Sequence, residues 1–393
     1  MKGENMNRVS PIALSTVLAL VALLSSAACT SSGTATPGAT PVAATPKLSL
    51  APTLQPWESE WQKAVAVAKD EGKLVLYTSS GTGPRDVMAP VLKDKFGIDL
   101  ELTTARSAEL SPKVDTERRA GLFLADIYTG GSAALVQDLR PKGYLDPIKP
   151  ILLLPEVTDP KVWAGGGLNF VDKDGMILSF VATATTPLAI NTDLVKPGEI
   201  KSYQDLLQPK WKGKIILNDP TVDGPGADWY GVARQILGVD FMQKLTAQEP
   251  VIIRDHRVAT EWLAKAKYPV IIGPFDTIVN EFKQAGAPIS GFVPAEGSFL
   301  KSGSGSVALF NKAPHPNAAR VVINWLLTKE AQVTWQKVMG QQSGRLDVPP
   351  GTLDPANLRQ DGVKYVYSGS EEALMARIGL MKEAKDIFGA LMK

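Results

Sequence analysis

The sequence has very few of the residues that support thiol chemistry or imidazole-rich metal sites. It contains one cysteine, Cys29, and two histidines, His256 and His315, in 393 residues. A single cysteine cannot form an intrachain disulfide or a cysteine-based zinc site. A long Lys or Arg run is also missing, and the formal net charge is only +2. Nucleic-acid-binding proteins normally carry a basic face or stripe, so we expect no nucleic-acid partner.

Catalytic motifs are equally scarce. The chain has no persuasive Gly-x-Ser-x-Gly elbow, His-Glu-x-x-His motif, Walker loop or Cys/His cluster. The acidic pair Asp115 and Glu117 falls on a predicted helix face, where charge is usually solvated. The Ser/Gly-rich segment at 301–306 lacks the spacing and the strand–helix context of a nucleotide loop, which favours a connecting loop or a hinge. The sequence therefore favours a binding protein without a cofactor, and a secreted hydrolase or transferase is the alternative from another class.

The N-terminus has a pattern of its own. Lys2 and Arg8 precede an apolar run at 12–24, and four small residues then lead to Cys29. A basic start, an apolar stretch and small residues predict a secretory signal, and an uncleaved membrane anchor is the alternative. The segment is similar to a bacterial lipoprotein signal in which Cys29 is lipidated, although Ser26 stands at the usual leucine position.

This pattern predicts the domain organisation. We expect a signal peptide at 1–28, a tether at 29–55 and a folded domain at 56–393. The tether is rich in Ser, Thr, Gly, Pro and Ala, so it buries little apolar surface and is expected to be flexible. The predicted location is extracytoplasmic, with the domain held at the cell membrane by the lipid on Cys29.

Strand and helix patterns alternate along the domain. The predicted strands are 73–78, 99–103, 125–128, 187–192, 214–217 and 268–273. The predicted helices are 57–71, 85–96, one through 116–119, one around 229–237, one starting at Pro316, and a C-terminal helix capped by Ser370 with the core stripe Leu374, Ile378, Met381, Ile387, Phe388 and Leu391. This alternation predicts an α/β fold with parallel strand pairs, in which ligands lie beyond the carboxyl ends of the strands.

Six segments, in order along the chain, resemble the family-1 extracellular solute-binding proteins, and within them the ferric-ion-binding branch. They are GKLVLYTSSG (72–81), LADIYTGGSAAL (124–135), GYLDP (143–147), PLAINTDLV (187–195), SYQDLLQPKWKGKIILNDP (202–220) and KAPHPNAARVVINWLLTKEAQ (312–332). The ordered set spans nearly the whole predicted domain.

The resemblance implies a two-lobed type II periplasmic-binding-protein fold, with mixed sheets flanked by helices and a ligand cleft between the lobes. Lobe 1 is expected at about 56–175 and 298–328, and lobe 2 at about 176–297 and 329–393. The implied function is the substrate-binding component of an ABC importer, a monomer that closes on a small molecule and delivers it to the permease. A sensor that docks on a receptor is a further alternative.

The resemblance to the ferric-ion-binding branch implies an iron site only in part. In iron-binding relatives two adjacent tyrosines follow the strand that corresponds to 268–273, where this sequence has Pro274-Phe275-Asp276-Thr277. Ferric iron prefers anionic oxygen ligands, so the loss of both phenolates argues against the usual site. We therefore expect an organic or phosphate-like anion, and ferric-iron transport with a non-standard ligand set is the alternative.

The candidate ligand-binding residues lie at predicted strand ends and helix starts. They are Ser79, Ser80, Gly81, Tyr128, Gly130, Gly131, Ser132, Thr185, Thr186, Trp229, Tyr230, Arg254, His256, Arg257, Phe275 and Asp276. The Ser/Gly turns suit phosphate, phosphonate or carboxylate groups, and ordinary turn chemistry is the alternative.

The charged and aromatic candidates also have two interpretations. Arg254 and Arg257 flank a predicted helix start, which is either an anion site or a solvated loop in which Asp255 caps the helix. Tyr128, Trp229, Tyr230 and Phe275 can stack on an organic ligand, although aromatic residues are more often core. Our expectation is that Arg257 or Arg254 supplies charge, the Ser/Gly turns donate hydrogen bonds, and an aromatic ring closes the site.

Overall fold

The computed structural model describes residues 54–392. The predicted signal peptide, nearly all of the tether and the lipidation site Cys29 lie outside the described residues. Within the described range, no helix is both long enough and apolar enough to cross a membrane.

The secondary structure confirms the predicted alternation. The helices are α1 (Pro56–Glu71), α2 (Gly83–Phe96), α3 (Ser107–Arg119), α4 (Ser132–Ala134), α5 (Pro155–Thr158), α6 (Pro225–Thr246), α7 (His256–Ala264), α8 (Asp276–Gln284), α9 (Pro316–Leu326), α10 (Lys329–Met339) and α11 (Glu371–Phe388). The strands are β1 (Lys73–Thr78), β2 (Asp99–Thr104), β3 (Ile127–Gly130), β4 (Leu145–Asp146), β5 (Asn169–Phe170), β6 (Ile177–Ser179), β7 (Thr183–Ala184), β8 (Leu188–Asn191), β9 (Ile215–Asn218), β10 (Val251–Ile253), β11 (Val270–Ile272), β12 (Ile289–Phe292), β13 (Ser298–Lys301), β14 (Ser306–Phe310) and β15 (Tyr365–Tyr367).

Helix boundaries follow the capping signals of the sequence. Helix α1 ends at Gly72, whose φ of 65° lies in the left-handed region that glycine adopts without strain. Helix α9 has Pro316 in its first turn, and the Ser370 hydroxyl accepts a hydrogen bond from the Ala373 amide at the start of α11. Helix α6 begins at Pro225, before the predicted 229–237, and its backbone is non-helical at Gly238, with φ of 78° and ψ of 174°. The predicted end at 237 therefore coincides with a kink, beyond which a second helical stretch runs to Thr246.

Two large sheets organise the chain. The first has the strand order β2-β1-β3-β14-β6-β5, with β4 also paired to β14, and the second has the order β10-β9-β11-β8-β12. Strands β1, β2 and β3 are parallel, and so are β9, β10 and β11. Strands β7, β13 and β15 form a small third sheet. The fold is therefore a mixed α/β fold, as the sequence predicts, with one large sheet in each lobe.

Each large sheet has its own core. The first sheet buries residues of α1, α2, α9 and α10 on one side and of α3 and α4 on the other. The second sheet buries α6 and α11 on one side and α7 and α8 on the other. Ala331 and Trp335 of α10 belong to the first core. Helix α10 therefore lies with the first sheet, in contrast to the predicted assignment of 329–393 to the second lobe.

Helix α11 contacts both lobes. At its start the Glu371 amide donates to the Val171 carbonyl at 3.0 Å, and the Gln137 side chain donates to the Leu374 carbonyl at 2.9 Å. Towards its end Phe388 is fully buried in the second core. The predicted apolar stripe is wrong at one position, because Ile378 is 68% exposed.

This difference gives a stability test. We expect Phe388→Ala to lower the free energy of unfolding by about 3–5 kcal/mol, because it leaves a cavity in the second core. Ile378→Ala is the matched control on the same helix and should change that free energy by less than about 0.5 kcal/mol. Urea unfolding followed by circular dichroism measures both, and equal losses would contradict this placement of α11.

Candidate functional site

Three Ser/Gly segments meet at one end of the first sheet. Ser79 and Ser80 follow β1, and Gly130 ends the parallel strand β3. Strand β14 runs antiparallel and begins with Ser306 opposite Gly130, so the loop 302–305 reaches the same end. We call Ser79, Ser80, Gly81, Gly130, Gly131, Ser132 and the loop 302–305 the first edge.

Hydrogen bonds hold the first edge together. The Tyr128 hydroxyl donates to the Ser79 hydroxyl at 2.9 Å, and the Ser80 hydroxyl donates to the Ser304 carbonyl at 3.3 Å. The hydroxyls of Ser132 and Ser302 lie 3.4 Å apart. The loop 302–305 is thus part of the candidate site and also connects two sheets. The sequence of this loop contains no motif that indicates a role in the candidate site.

The surroundings of Gly130 and Tyr128 explain why a glycine and a tyrosine occupy these two positions. A Cβ atom at Gly130 would lie 2.1 Å from the Ser79 hydroxyl oxygen and 2.9 Å from the Tyr128 ring. Glycine is the one residue that permits this close approach. Tyr128 itself is 1% exposed, so its ring packs in the core and its hydroxyl positions Ser79. The predicted stacking of Tyr128 on a ligand is therefore wrong.

The matching end of the second sheet carries the charged candidates. Asp219 follows β9 and Arg254 follows β10, and Arg254 Nε donates to Asp219 Oδ2 at 2.7 Å. Burial alone would raise the pKa of Asp219, but the hydrogen bonds from Arg254 and Thr221 hold that pKa below its ordinary value. We call Asn218, Asp219, Arg254, His256, Phe275 and Asp276 the second edge.

His256 and Phe275 start neighbouring helices at this edge. Their rings stack, with 5.4 Å between the centroids and 19° between the planes. Burial lowers the pKa of the His256 imidazole, and the nearby Asp255 carboxylate opposes that shift. Phe275 remains 40% exposed and can still offer part of its ring to a ligand.

Asp276 begins α8 and is held by the crossover segment. Its Oδ1 accepts hydrogen bonds from both the amide and the hydroxyl of Thr186. Burial raises the pKa of Asp276, Asp354 adds to the rise, and Lys301 and the Thr186 bonds offset only part of it. Thr186 therefore orients the carboxyl group in an environment that disfavours its charge.

An ion-pair network lies beside the two edges. Lys301, next to the loop 302–305, places its ammonium nitrogen 3.1 Å from the Asp228 carboxylate on α6. Arg377 on α11 contacts both Asp228 and Asp223 at 2.5 Å. Burial opposes ionisation of Asp228, yet the two cations hold its pKa below the ordinary value. Asp228 and Arg377 also line a cavity of about 550 Å³ between α6, β15 and α11.

The chain crosses between the edges through the small sheet. It leaves the first edge after Ser179 of β6, passes through β7, and enters the second edge at Leu188 of β8. It returns through β13 to Ser306 of β14. The two edges thus border the same connecting strands, and the cleft between them is the candidate site.

Four predicted residues lie elsewhere. Trp229 and Tyr230 are each 1% exposed and pack in the second core, so they offer no free ring face. Thr185 is buried, and its hydroxyl donates to the Phe299 carbonyl. The Arg257 guanidinium contacts Glu281 at 2.7 Å, further along α8, with both side chains more than half exposed. Of the two arginines expected to supply charge, Arg254 therefore lies at the second edge and Arg257 is paired with Glu281.

Among residues 54–392, no group of three or more His, Cys, Asp or Glu side chains is arranged to hold a metal ion. The segment Pro274-Phe275-Asp276-Thr277 contributes one carboxylate to the second edge.

Two lobes, crossover strands and facing strand ends define the type II periplasmic-binding-protein class. FutA2 of Synechocystis PCC6803, in its apo form, is 20% identical over 80% of this chain and 98% of that chain, with a TM-score of 0.61. The Trichodesmium protein (IdiA, FutA) in complex with iron and citrate is 17% identical over 81% and 99%, with a TM-score of 0.63. AfuA of Actinobacillus pleuropneumoniae, with fructose-6-phosphate bound, is 20% identical over 81% and 99%, with a TM-score of 0.55. These likenesses show the fold.

The family is shown by the sequence itself. The profile of the bacterial extracellular solute-binding protein family matches residues 87–358, well over half of the chain. The chain belongs to this family.

The raised pKa of Asp276 predicts a pH-dependent stability. Burial disfavours the charged carboxylate in the folded state, so the wild type loses stability as the pH rises from about 3.9 through the folded pKa. Asp276→Asn removes this titration and should be more stable than the wild type at pH 7, with the difference shrinking towards pH 4. Urea unfolding at both pH values measures it. A variant that is less stable by the same amount at both pH values would show that the Thr186 bonds outweigh burial.

Proposed function

We propose that this protein is the substrate-binding component of an ABC importer and binds a small organic or phosphate-like anion in the cleft between the two edges. Family membership supports the extracellular solute-binding role. The proposal includes a lipid anchor on Cys29, a monomeric state, delivery to a membrane permease and no catalytic step.

The observation that carries the anion assignment is the convergence of serine hydroxyls on glycine-containing turns at the first edge. Ser79 and Ser80, Ser132, and Ser302 lie there on three adjoining segments, which also contain glycines. Such turns donate several hydrogen bonds to one anionic group without bringing a competing charge. The first edge as defined contains no carboxylate.

The second edge adds positive potential. Arg254 is largely exposed beyond its contact with Asp219. Helix α6 begins here without a side-chain cap, whereas the Asp255 carboxylate accepts from two amides at the start of α7 and Asp276 brings a carboxyl group to the first turn of α8. An uncapped helix start and a guanidinium both favour an anion. The start of α7 carries a side-chain cap, which is the Asp255 carboxylate.

The structural neighbours bind different ligands, so none is transferred directly. One was solved with iron and citrate and another with fructose-6-phosphate. Since Pro274-Phe275-Asp276-Thr277 stands where iron-binding relatives have two adjacent tyrosines, we place an anion ahead of ferric iron.

A thermal-shift screen tests the proposal. The purified protein, stripped of co-purified ligand, is scanned with carboxylates, phosphonates, sugar phosphates and ferric salts with and without citrate. A ligand at about a hundred times its Kd adds roughly 2.7 kcal/mol of stability, which gives a clear rise in Tm. A shift with an anion supports the proposal, and a shift with ferric salts alone would replace it by iron transport.

Arg254 and Arg257 can then be separated. We expect Arg254→Ala to raise the Kd of the anion found in the screen roughly 10- to 100-fold, as the loss of one charge-assisted hydrogen bond predicts. Arg257→Ala should leave that Kd unchanged, because its guanidinium is engaged with Glu281. Arg254→Lys keeps a cation beside the buried Asp219 and controls for folding. A loss of affinity in Arg257→Ala alone would show that Arg257 supplies the charge, and calorimetry distinguishes the two results.

A further inference from the structure

The two edges differ in the kind of hydrogen bond that they offer. The first edge presents serine hydroxyls on glycine-containing turns, in which the amides of Ser79, Ser80 and Ser304 already donate within the chain. At the second edge Asp276 is a half-buried carboxylate, and within residues 54–392 no Lys, Arg or His nitrogen lies within 4.0 Å of it in an ion pair. Lys301, a cation close enough to influence it, has its ammonium group at Asp228 instead. The carboxylate is oriented by Thr186 but not neutralised.

Asn218 is a second polar group at this edge, and one of its side-chain atoms has no hydrogen-bond partner. Asn218 ends β9 and is 1% exposed, and its amide nitrogen donates to the Gly273 carbonyl at 2.5 Å. This bond fixes the orientation of the amide, so the remaining atom is an acceptor, Oδ1. It is buried without a hydrogen-bond partner. Buried polar atoms are nearly always paired, and a donor from outside the chain would satisfy this one.

The first edge shows the opposite polarity. Ser306 faces Gly130 in the sheet and is fully buried, and its hydroxyl has no hydrogen-bond partner among the described residues. A hydroxyl can donate to an anionic oxygen. The unsatisfied group at the first edge is therefore a potential donor. At the second edge Asn218 Oδ1 is an acceptor, and His256 Nδ1, which also has no partner, is a donor or an acceptor according to the tautomer.

We propose that the ligand is a small zwitterion, whose anionic group is held by the Ser/Gly turns of the first edge and whose ammonium group is held by the Asp276 carboxylate of the second edge. The inference rests on the proposed function and names the class of ligand for the same cleft. Phe275, next to Asp276, keeps 40% of its surface exposed and provides a ring face for the cation. Thr186 is a positioning residue, because it acts through the Asp276 carboxyl group.

Matched pairs of ligands test the proposal. Calorimetry compares 3-aminopropionate with propionate, 2-aminoethanesulfonate with ethanesulfonate, and 2-aminoethylphosphonate with ethylphosphonate. The members of each pair share the anionic group and differ in the ammonium group. In at least one pair the amino compound should bind at least about tenfold more tightly, as expected for a charge-assisted hydrogen bond to a carboxylate.

Variants assign that preference to Asp276. Asp276→Asn keeps an acceptor for the Thr186 amide and should remove the tenfold preference while leaving the affinity for the compound without an ammonium group unchanged. Glu281→Gln removes one negative charge from the same helix, α8, at an exposed position and should keep the preference. A parallel loss of affinity for both members of a pair in Asp276→Asn would show a structural role and overturn the proposal.

The failure of this inference can be told apart from the failure of the proposed function. If anions without an ammonium group bind as tightly as their amino partners, or if only such anions shift the Tm in the wider screen, the zwitterion is wrong and the anion importer stands. If ferric salts alone shift the Tm, both are wrong.

Discussion

The direction of the parallel strands is the constraint on which the site depends. Strands β1 and β3 in one sheet, and β9, β10 and β11 in the other, all end where the chain crosses through the small sheet. Carboxyl ends of parallel strands leave turns and helix starts with exposed backbone groups. Both sheets present these ends to the same crossover strands. The two polar edges therefore border one cleft, and the fold needs no separate binding domain.

Burial decides the electrostatics of that cleft. Asp219 and Asp228 are both buried enough to disfavour charge, but each has a guanidinium or ammonium group within 3.1 Å and stays ionised. Asp276 is placed in a similar environment without an ion pair, and its pKa moves in the opposite direction. The same residue type thus has a structural role where a cation is supplied by the chain. Where none is supplied, it is available to a ligand.

Much of the fold could be predicted from periodicity and caps, because local residues determine both. Gly72, Pro316 and Ser370 mark helix ends by their own backbone or side-chain chemistry. The errors arise where distant packing decides. Ile378 fits an apolar helical stripe, yet the second core approaches α11 from the side of Ala384 and Phe388. Helix α10 follows α9 in sequence, and its Trp335 packs edge-to-face against Phe180, 4.9 Å away between ring centroids, in the first core.

The sequence could indicate where the residues of the candidate site lie along the chain, but it could not indicate which contacts they make. Strand-end turns identified Ser79, Ser80 and Ser132 correctly as neighbours in space, since parallel strands bring their ends together. Sequence could not show which arginine remains at the edge, because Arg254 and Arg257 are three residues apart and their partners, Asp219 and Glu281, come from other elements. It also gave no signal for Asn218, whose unsatisfied oxygen depends on the Gly273 carbonyl beside it.

Lobe closure gives a reason for leaving these groups unsatisfied. A ligand drives closure only by the extra free energy of binding that it gains in the closed state. An oriented carboxylate, a buried amide oxygen and a buried hydroxyl each raise the free energy of the protein when empty, and a ligand that satisfies them recovers that cost. Groups already paired within the chain, such as Asp228 with Lys301, offer no such gain. The unsatisfied atoms at the two edges are therefore the ones through which ligand chemistry can control the movement of the lobes.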